Sequence, residues 1–379
     1  RRLFGHTVPS ELPNKFNMAM RVPIGVAAII TPWNFPMAIP TWKIFPALLC
    51  GNTVVFKPAS DTPATATRLV EILLEAGVPP GVINIVHGGG SEVGISLVEH
   101  PDVDLVSFTG STGVGKRISE VASKTLKRVS LELGGKNAQI VMDDANLELA
   151  LEGVLWGAFG TTGQRCTATS RLIVHEKVYD KFVDMVVDHT KKLRLGDGLK
   201  PNVDVGPCVN EGQQRTVDEY VKIGTEEGAR VLAGGKTAKQ GDLARGWFYE
   251  PTVLGGVTPT MRVAREEIFG PVLSVIRIKS LEEAIDISNN TAYGLSSSIY
   301  TQNINNAYQA IRDIRAGITY VNSPTIGAEA HMPFGGVKET GNGHREGGWT
   351  VYEFFSEWKT VYVDYSGTLQ RAQIDNVEN

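Results

Sequence analysis

The stretch Thr53–Gly77, TVVFKPASDTPATATRLVEILLEAG, decides the fold. Its opening residues are β-branched or aromatic and read as a strand through Phe56. A polar loop follows, and Thr62 then has the character of an N-cap, with Pro63 at the first helical position, where a missing N–H costs nothing. Leu69, Ile72, Leu73 and Ala76 recur at helical spacing, and Gly77 supplies the stop. Strand, loop and amphipathic helix in this order make half of a βαβ unit.

Working outward, the alternation repeats. Val26–Ile30 reads as a strand upstream. Downstream come a strand at Ile83–Val86, a helix at Glu92–Glu99 that stops before Pro101, a strand at Asp104–Thr109, a helix at Gly113–Leu126 and a strand at Val129–Leu131. Such spacing predicts a parallel, doubly wound sheet. After Gly134-Gly135 the pattern restarts, with strands at Gln139–Met142, Arg171–Val174, Val272–Ile278, Ser296–Tyr300 and Ile318–Val321. Helices are expected at Leu147–Phe159, Lys177–Leu193, Val209–Glu227, Leu281–Asn289 and Ile304–Ile314. A second α/β unit therefore spans Gly135 to Phe334. Phe16–Val22 and Trp358–Tyr365 are β-rich and aromatic without a crossover helix; they are expected to pair with each other or with another subunit.

The bulk properties exclude several classes. With 379 residues and 42% hydrophobic content, the chain has material for two domains. A net charge of −4 gives no reason to expect nucleic acid. Arg1-Arg2-Leu3-Phe4 leads into Gly5 and Pro9 without a signal-peptide pattern. Ile24–Phe56 is the most apolar stretch, but Pro32, Pro36, Pro40 and Pro46 should break any long helix and Lys43 lies in its middle. It is expected as buried strands and loops, not a membrane span. Cys50, Cys166 and Cys208 are too few and too scattered for a disulfide framework or metal site, which fits a reducing cytoplasmic compartment.

One of those thiols invites attention. Phe159–Thr167, FGTTGQRCT, puts Cys166 after a helix end and beside Arg165, whose charge would favour a thiolate; an inert loop cysteine fits the segment equally well. In Val129–Lys136, VSLELGGK, Glu132 stands at a strand end, where open α/β folds place ligands, and would serve as a general base if not simply solvated. Asn34 in TPWNFP (Thr31–Pro36) offers an amide to an oxyanion, or else forms a turn. Phe108–Gly115, FTGSTGVG, is a strand, Gly-rich turn and helix start suited to phosphate, though without GxGxxG spacing. Phe56–Ser60, FKPAS, offers Lys57 at the same sheet end.

Together and in this order, WNFP, KPA, FTGSxxxG, LELGGK, GQxC, EEIFGP (Glu266–Pro271) and PFGGxKxxGxG (Pro333–Gly343) resemble the NAD(P)-dependent aldehyde dehydrogenase superfamily over essentially the whole chain. The resemblance implies an α/β fold with a Rossmann-like coenzyme domain, an α/β catalytic domain and a small β oligomerisation element. The expected divisions are oligomerisation strands at 1–23, the coenzyme domain at 24–134, the catalytic domain at 135–350, and a C-terminal oligomerisation strand and tail at 351–379. It makes Cys166 the nucleophile, Asn34 the oxyanion donor and Glu132 the base that activates water. It assigns NAD or NADP to Ile30, Pro32, Trp33, Lys57, Ser60, Gly110, Ser111, Leu133, Glu267 and Phe269, and it implies no metal. Relatives that pass the acyl group to coenzyme A generally lack the Glu, so a free-acid product is expected. Members strict for NAD often carry Glu at the position of Ser60, so use of both coenzymes is expected.

Two features bear on the substrate. Arg165 would pair with a distal carboxylate or face structure. Gly327-Ala328, in Ser323–His331, resembles the branches that oxidise aminoadipate and glutamate semialdehydes, as does LQRAQ (Leu369–Gln373). The expected substrate is a short aldehyde acid such as 2,5-dioxopentanoate, succinate semialdehyde or aminoadipate semialdehyde. A homodimer or homotetramer is expected. The chain begins late relative to the family, which keeps a catalytically silent binding or structural member as the alternative. A cysteine hydrolase would need a partnered His, and His175 and His331 read as surface or loop residues.

Overall fold

The computed structural model describes residues 3–371. Strands β1 (His6–Pro9) and β2 (Lys15–Pro23) pair antiparallel at the start of the chain. Five strands then form a wholly parallel sheet: β3 (Val26–Ile30), β4 (Thr53–Lys57), β5 (Ile83–Ile85), β6 (Leu105–Thr109) and β7 (Arg128–Glu132). Their order is β5-β4-β3-β6-β7. The chain builds outward from β3 in one direction, then returns to build outward in the other. The crevice outside the ends of β3 and β6 is therefore a topological switch point, where such sheets bind ligands.

The helix Pro63–Glu75 forms as its sequence predicts, with Pro63 in the first turn and Ala66, Leu69 and Val70 buried. Two expectations need correction. The apolar stretch after β3 is not only strands and loops, because Ala38–Leu49 is a helix that contains Pro40 and Pro46. Pro40 lies in the first turn, where N–H groups have no intrahelical acceptor, and Pro46 removes a single bond further along. Pro40, Lys43, Ile44 and Ala47 are buried along one face, and this packing outweighs the proline penalty. Also, the helix expected at Glu92–Glu99 is a wide turn at Gly90–Gly94 followed by a short helix at Ile95–Glu99.

The second unit is a seven-stranded sheet. It contains β8 (Asn137–Val141), β9 (Thr169–His175), β10 (Arg230–Ala233), β11 (Thr252–Gly255), β12 (Val272–Ile278), β13 (Ser296–Tyr300) and β14 (Ile318–Val321). The order is β10-β11-β12-β9-β8-β13-β14, with only β10 antiparallel. Alternate residues feed two cores: Ile140, Ile173 and Ile276 on one face, Val141, Leu172 and Val275 on the other. Helix Leu147–Phe159 runs as expected and is capped by the Asn146 side chain, which accepts from Leu149 N.

Near the end of the chain, β15 (Ser356–Asp364) pairs antiparallel with β2, so the two aromatic terminal segments meet within one chain. Of LQRAQ, Ala372 and Gln373 lie outside the described residues. Among the described residues, no helix is long and apolar enough to cross a membrane.

Candidate active site

Segments following β3, β6 and β7 line a cleft of about 310 Å³ at the switch point. Pro32, Trp33 and Asn34 come from the first, Gly110 and Ser111 from the second, Leu133 and Gly134 from the third, and Glu267 and Phe269 from the other unit. Gly110 has no room for a side chain, since a Cβ would stand 2.4 Å from the Phe108 ring. Ser111 caps helix Thr112–Ser123 without a side-chain bond to it, so the helix's first N–H groups remain available to an anion. Trp33 and Phe269 meet edge-on at 5.5 Å. Phe269 is held with φ +57° while Gln213 Nε2 donates to the carbonyls of Ile268 and Phe269.

Glu267 is fixed against the Gly134-Gly135 turn. Gly135 N donates to it at 2.8 Å, and a Cβ on Gly134 would stand 2.3 Å from its other oxygen. Burial pushes its carboxyl up to about 7, against the Gly135 N–H and the Lys136 charge. The residues fit a dinucleotide: exposed helical N–H groups for a pyrophosphate, and a buried carboxylate for ribose hydroxyls. Ile30, Lys57 and Ser60 do not line this cleft. Ile30 is buried in β3, Lys57 is the last residue of β4 and Ser60 lies just beyond it, both donating to Gly88 O. Lys57 is buried rather than solvated, and desolvation lowers its pKa.

Cys166 also lines a second cavity, of about 230 Å³, with Phe35, Trp42, Glu132, Arg165, Gly327, Ala328, Phe334 and Glu346. The thiol thus stands where two cavities meet. Its loop is tightly held. Asn137 Nδ2 donates to the carbonyls of Cys166 and Ala168, both at 2.8 Å, and Gln164 Oε1 accepts from Val209 N. Asn34 Nδ2 gives one hydrogen to Gln164 O at 3.1 Å, which leaves a second amide hydrogen uncommitted. Burial, followed by the carboxyls of Glu132, Glu267 and Glu346, pushes the thiol up to about 12. The expected activation by Arg165 is therefore outweighed in this state.

Glu132 is buried, not a solvated surface acid, and among the described residues neither oxygen has a hydrogen-bond partner. Burial and then Glu346 raise its pKa well above the carboxylate range, while Lys43 and Arg345 oppose them. Lys43 and Glu346 form a buried ion pair, and Lys43 Nζ also donates to Ser107 Oγ at 2.9 Å. Sequence reasoning missed Lys43, Glu346 and Asn137. A lysine spaced to fall on the apolar face of a helix was the one available signal. His175 is a correction, since it is buried and caps helix Glu176–Thr190 through Nδ1; His331 is exposed beside Glu329. Neither lines a cavity with Cys166. Cys50 and Cys208 are buried, each pushed up to about 11 by desolvation, which suits inert core thiols.

The chain is similar to known proteins over most of its length. The sequence profile described as the Aldehyde dehydrogenase family matches residues 1–361. The 2,5-dioxopentanoate dehydrogenase of Saccharolobus solfataricus is 46% identical, the match covering 95% of this chain and 75% of that protein. Aldehyde dehydrogenase 1A1 of Mus musculus is 45% identical over 96% of this chain and 72% of its own. The structure of betaine aldehyde dehydrogenase from Staphylococcus aureus in complex with NAD+ superposes with a TM-score of 0.93 at 36% identity, covering 96% of this chain and 72% of that one.

Proposed function

The chain belongs to the aldehyde dehydrogenase family, and on that premise we propose that it oxidises a short aldehyde acid to the free diacid through a thioester on Cys166. As a member it is an NAD(P)-dependent aldehyde dehydrogenase. Relatives of nearly equal identity carry names that point to different aldehydes, so identity alone does not choose the substrate. The observation that carries the reading is Arg165. It lines the same cavity as Cys166 and Glu132, and among the described residues it has no carboxylate within ion-pair distance. A substrate carboxylate would supply one.

In this mechanism Cys166 gives up its proton to solvent through the cavity and reacts as the thiolate, which leaves Glu132 ionised for the later hydrolysis. Cys166 Sγ then bonds to the aldehyde carbon. The free amide hydrogen of Asn34 and the Cys166 backbone N–H receive the oxyanion. An oxidised nicotinamide in the cleft lined by Trp33, Glu267 and Phe269 would supply the hydride acceptor. The resulting thioester is attacked by water, whose proton passes to Glu132, and the carboxylic acid leaves. Gly327 and Ala328 line the same cavity as Arg165, and the substrate chain would run beside them. Ser60 at the end of β4 places no carboxylate against a 2′-phosphate, which leaves both NAD and NADP usable.

The same reading makes the enzyme a cytoplasmic homo-oligomer. Strands β14 and β15 each stand at the edge of their sheet with one side unpaired in the chain, and Trp358, Tyr362 and Val363 are exposed on β15. Addition of β15 to a neighbour's sheet would cover both. The test is a panel of aldehyde acids and neutral aldehydes assayed with NAD and NADP, beside Cys166→Ala and Arg165→Ala. Loss of all turnover in Cys166→Ala and a selective rise in KM for the acids in Arg165→Ala are expected. Equal losses for acids and neutral aldehydes in Arg165→Ala would remove the substrate assignment.

A further inference from the structure

Thr161, Thr162 and Gly163 are three consecutive residues in the left-handed region, with φ of 55°, 58° and 66°. Two of them are β-branched, for which this conformation is strongly disfavoured. Backbone strain of this kind persists only where surrounding contacts over-determine it. Here each threonine hydroxyl has a defined task. Thr162 Oγ1 donates to Gly206 O at 3.1 Å and ties the turn to the loop at Gly206. Thr161 Oγ1 accepts from Arg165 Nε at 2.8 Å. The same guanidinium lies over two rings, at 5.4 Å from the centre of Phe35 and 5.0 Å from that of Trp156. Arginine normally carries large rotamer freedom. In this site one of its nitrogens is bonded, two aromatic rings lie within 5.4 Å of its guanidinium carbon, and its two terminal nitrogens have no carboxylate partner among the described residues.

We propose that the left-handed turn at Thr161 makes Arg165 a fixed ruler, so that Thr161 is a positioning residue that sets which aldehyde-to-carboxylate spacing the enzyme accepts. This rests on Arg165 receiving the substrate carboxylate. A swinging arginine would follow acids of different length at little cost. A pinned one holds the carboxylate at one distance from Cys166 Sγ, and an acid one methylene too long or too short cannot place both ends. Phe35 belongs to the turn that carries Asn34. The arginine's stacking surface and the oxyanion amide therefore sit on the same short segment, and the two ends of the substrate are read against one rigid frame.

The experiment compares kcat/KM for unbranched four-, five- and six-carbon aldehyde acids in the wild type, Thr161→Val, Thr161→Ser and Arg165→Ala. The wild type should favour one length by about tenfold or more, a margin within reach of one charge-assisted contact. Thr161→Val, isosteric but without the acceptor, should flatten that preference to within about threefold, and Thr161→Ser should keep it. If the valine variant does not fold, Thr161→Gly removes the same hydroxyl at a position where glycine relieves the backbone. An unchanged length profile in the variant without the hydroxyl overturns the proposal, as do equal losses at all lengths or a wild type indifferent to length. Arg165→Ala separates the two levels. Loss specific to acids together with an unchanged Thr161→Val profile defeats the ruler alone, whereas loss shared by acids and neutral aldehydes defeats the substrate reading beneath it.

Discussion

Lys43 and Glu346, 303 residues apart in the chain, form a buried ion pair in the wall that faces Glu132. Removing one member leaves the other charge buried and unpaired. Lys43→Met should therefore lower stability by about 3–5 kcal/mol. Denaturant unfolding of both single variants and the double variant Lys43→Met/Glu346→Gln checks this. The double variant should recover much of the loss, and strictly additive losses would show that the pair is not coupled.

Glu132 carries a raised pKa, so the pH dependence has a definite sign. A carboxyl acts as a base only when ionised, so turnover should fall as pH drops through a limb above the ordinary carboxylate range. Glu346→Gln removes one cause of the elevation and should move that limb to lower pH. Glu132→Gln should abolish the limb and leave a pre-steady-state burst of reduced coenzyme followed by slow turnover. Unaltered steady-state turnover in Glu132→Gln would remove the residue from the mechanism.

Asn137 holds the Cys166 loop through the carbonyls of Cys166 and Ala168, and its Oδ1 accepts from Ser296 N. Asn137→Ala should cost about 2–4 kcal/mol in stability, because buried polar groups lose their partners. It should also lower kcat by about ten- to a hundredfold through misplacement of Cys166. Unfolding midpoints and single-turnover rates separate the two effects, and full activity in a destabilised protein would limit Asn137 to a structural part.

Glu267, pushed up to about 7, should make coenzyme binding depend on pH. Ribose hydroxyls donate to the carboxylate and not to the acid, so Kd for NAD should fall as pH rises through about 7, with a proton released on binding. Before coenzyme binds, a raised folded pKa means that the unfolded chain gives up this proton first. Glu267 therefore contributes a loss of stability as pH climbs from the ordinary glutamate value of 4.5 to about 7. Fluorescence titration of NAD across that range, repeated with Glu267→Gln, tests the point; the variant should show a flat profile.

If Ser60 lies beside the coenzyme's adenosine as proposed, it offers no negative charge there. Ser60→Glu should shift the ratio of catalytic efficiencies toward NAD by about tenfold or more, through repulsion of a 2′-phosphate. Comparable ratios in both proteins would place coenzyme choice elsewhere.

Much of this protein was readable along the chain. The strand–helix alternation is local, and Pro63 and the breaks at Gly77 and Gly134-Gly135 sit within a few residues of the elements they bound, although the Thr62 side chain expected as a cap makes no bond to its helix. Cys166, Glu132 and Asn34 could be proposed from the sequence because each belongs to a compact motif. The helix Ala38–Leu49 was missed for an equally physical reason: propensity counts the prolines, whereas burial of one face decides the outcome.

The sequence by itself determined the two α/β units and the family pattern, and it singled out Cys166 as the proposed nucleophile, because those signals are carried by spacing within short windows. Only the tertiary structure decided that Lys43 meets Glu346, that Asn137 grips the Cys166 loop, and that Arg165 lies pinned over Phe35 and Trp156. Those partners are separated by anything from a few residues to hundreds. Their meeting, and the raised pKa values it brings to Glu132 and Cys166, depends on how completely the folded chain excludes water between them.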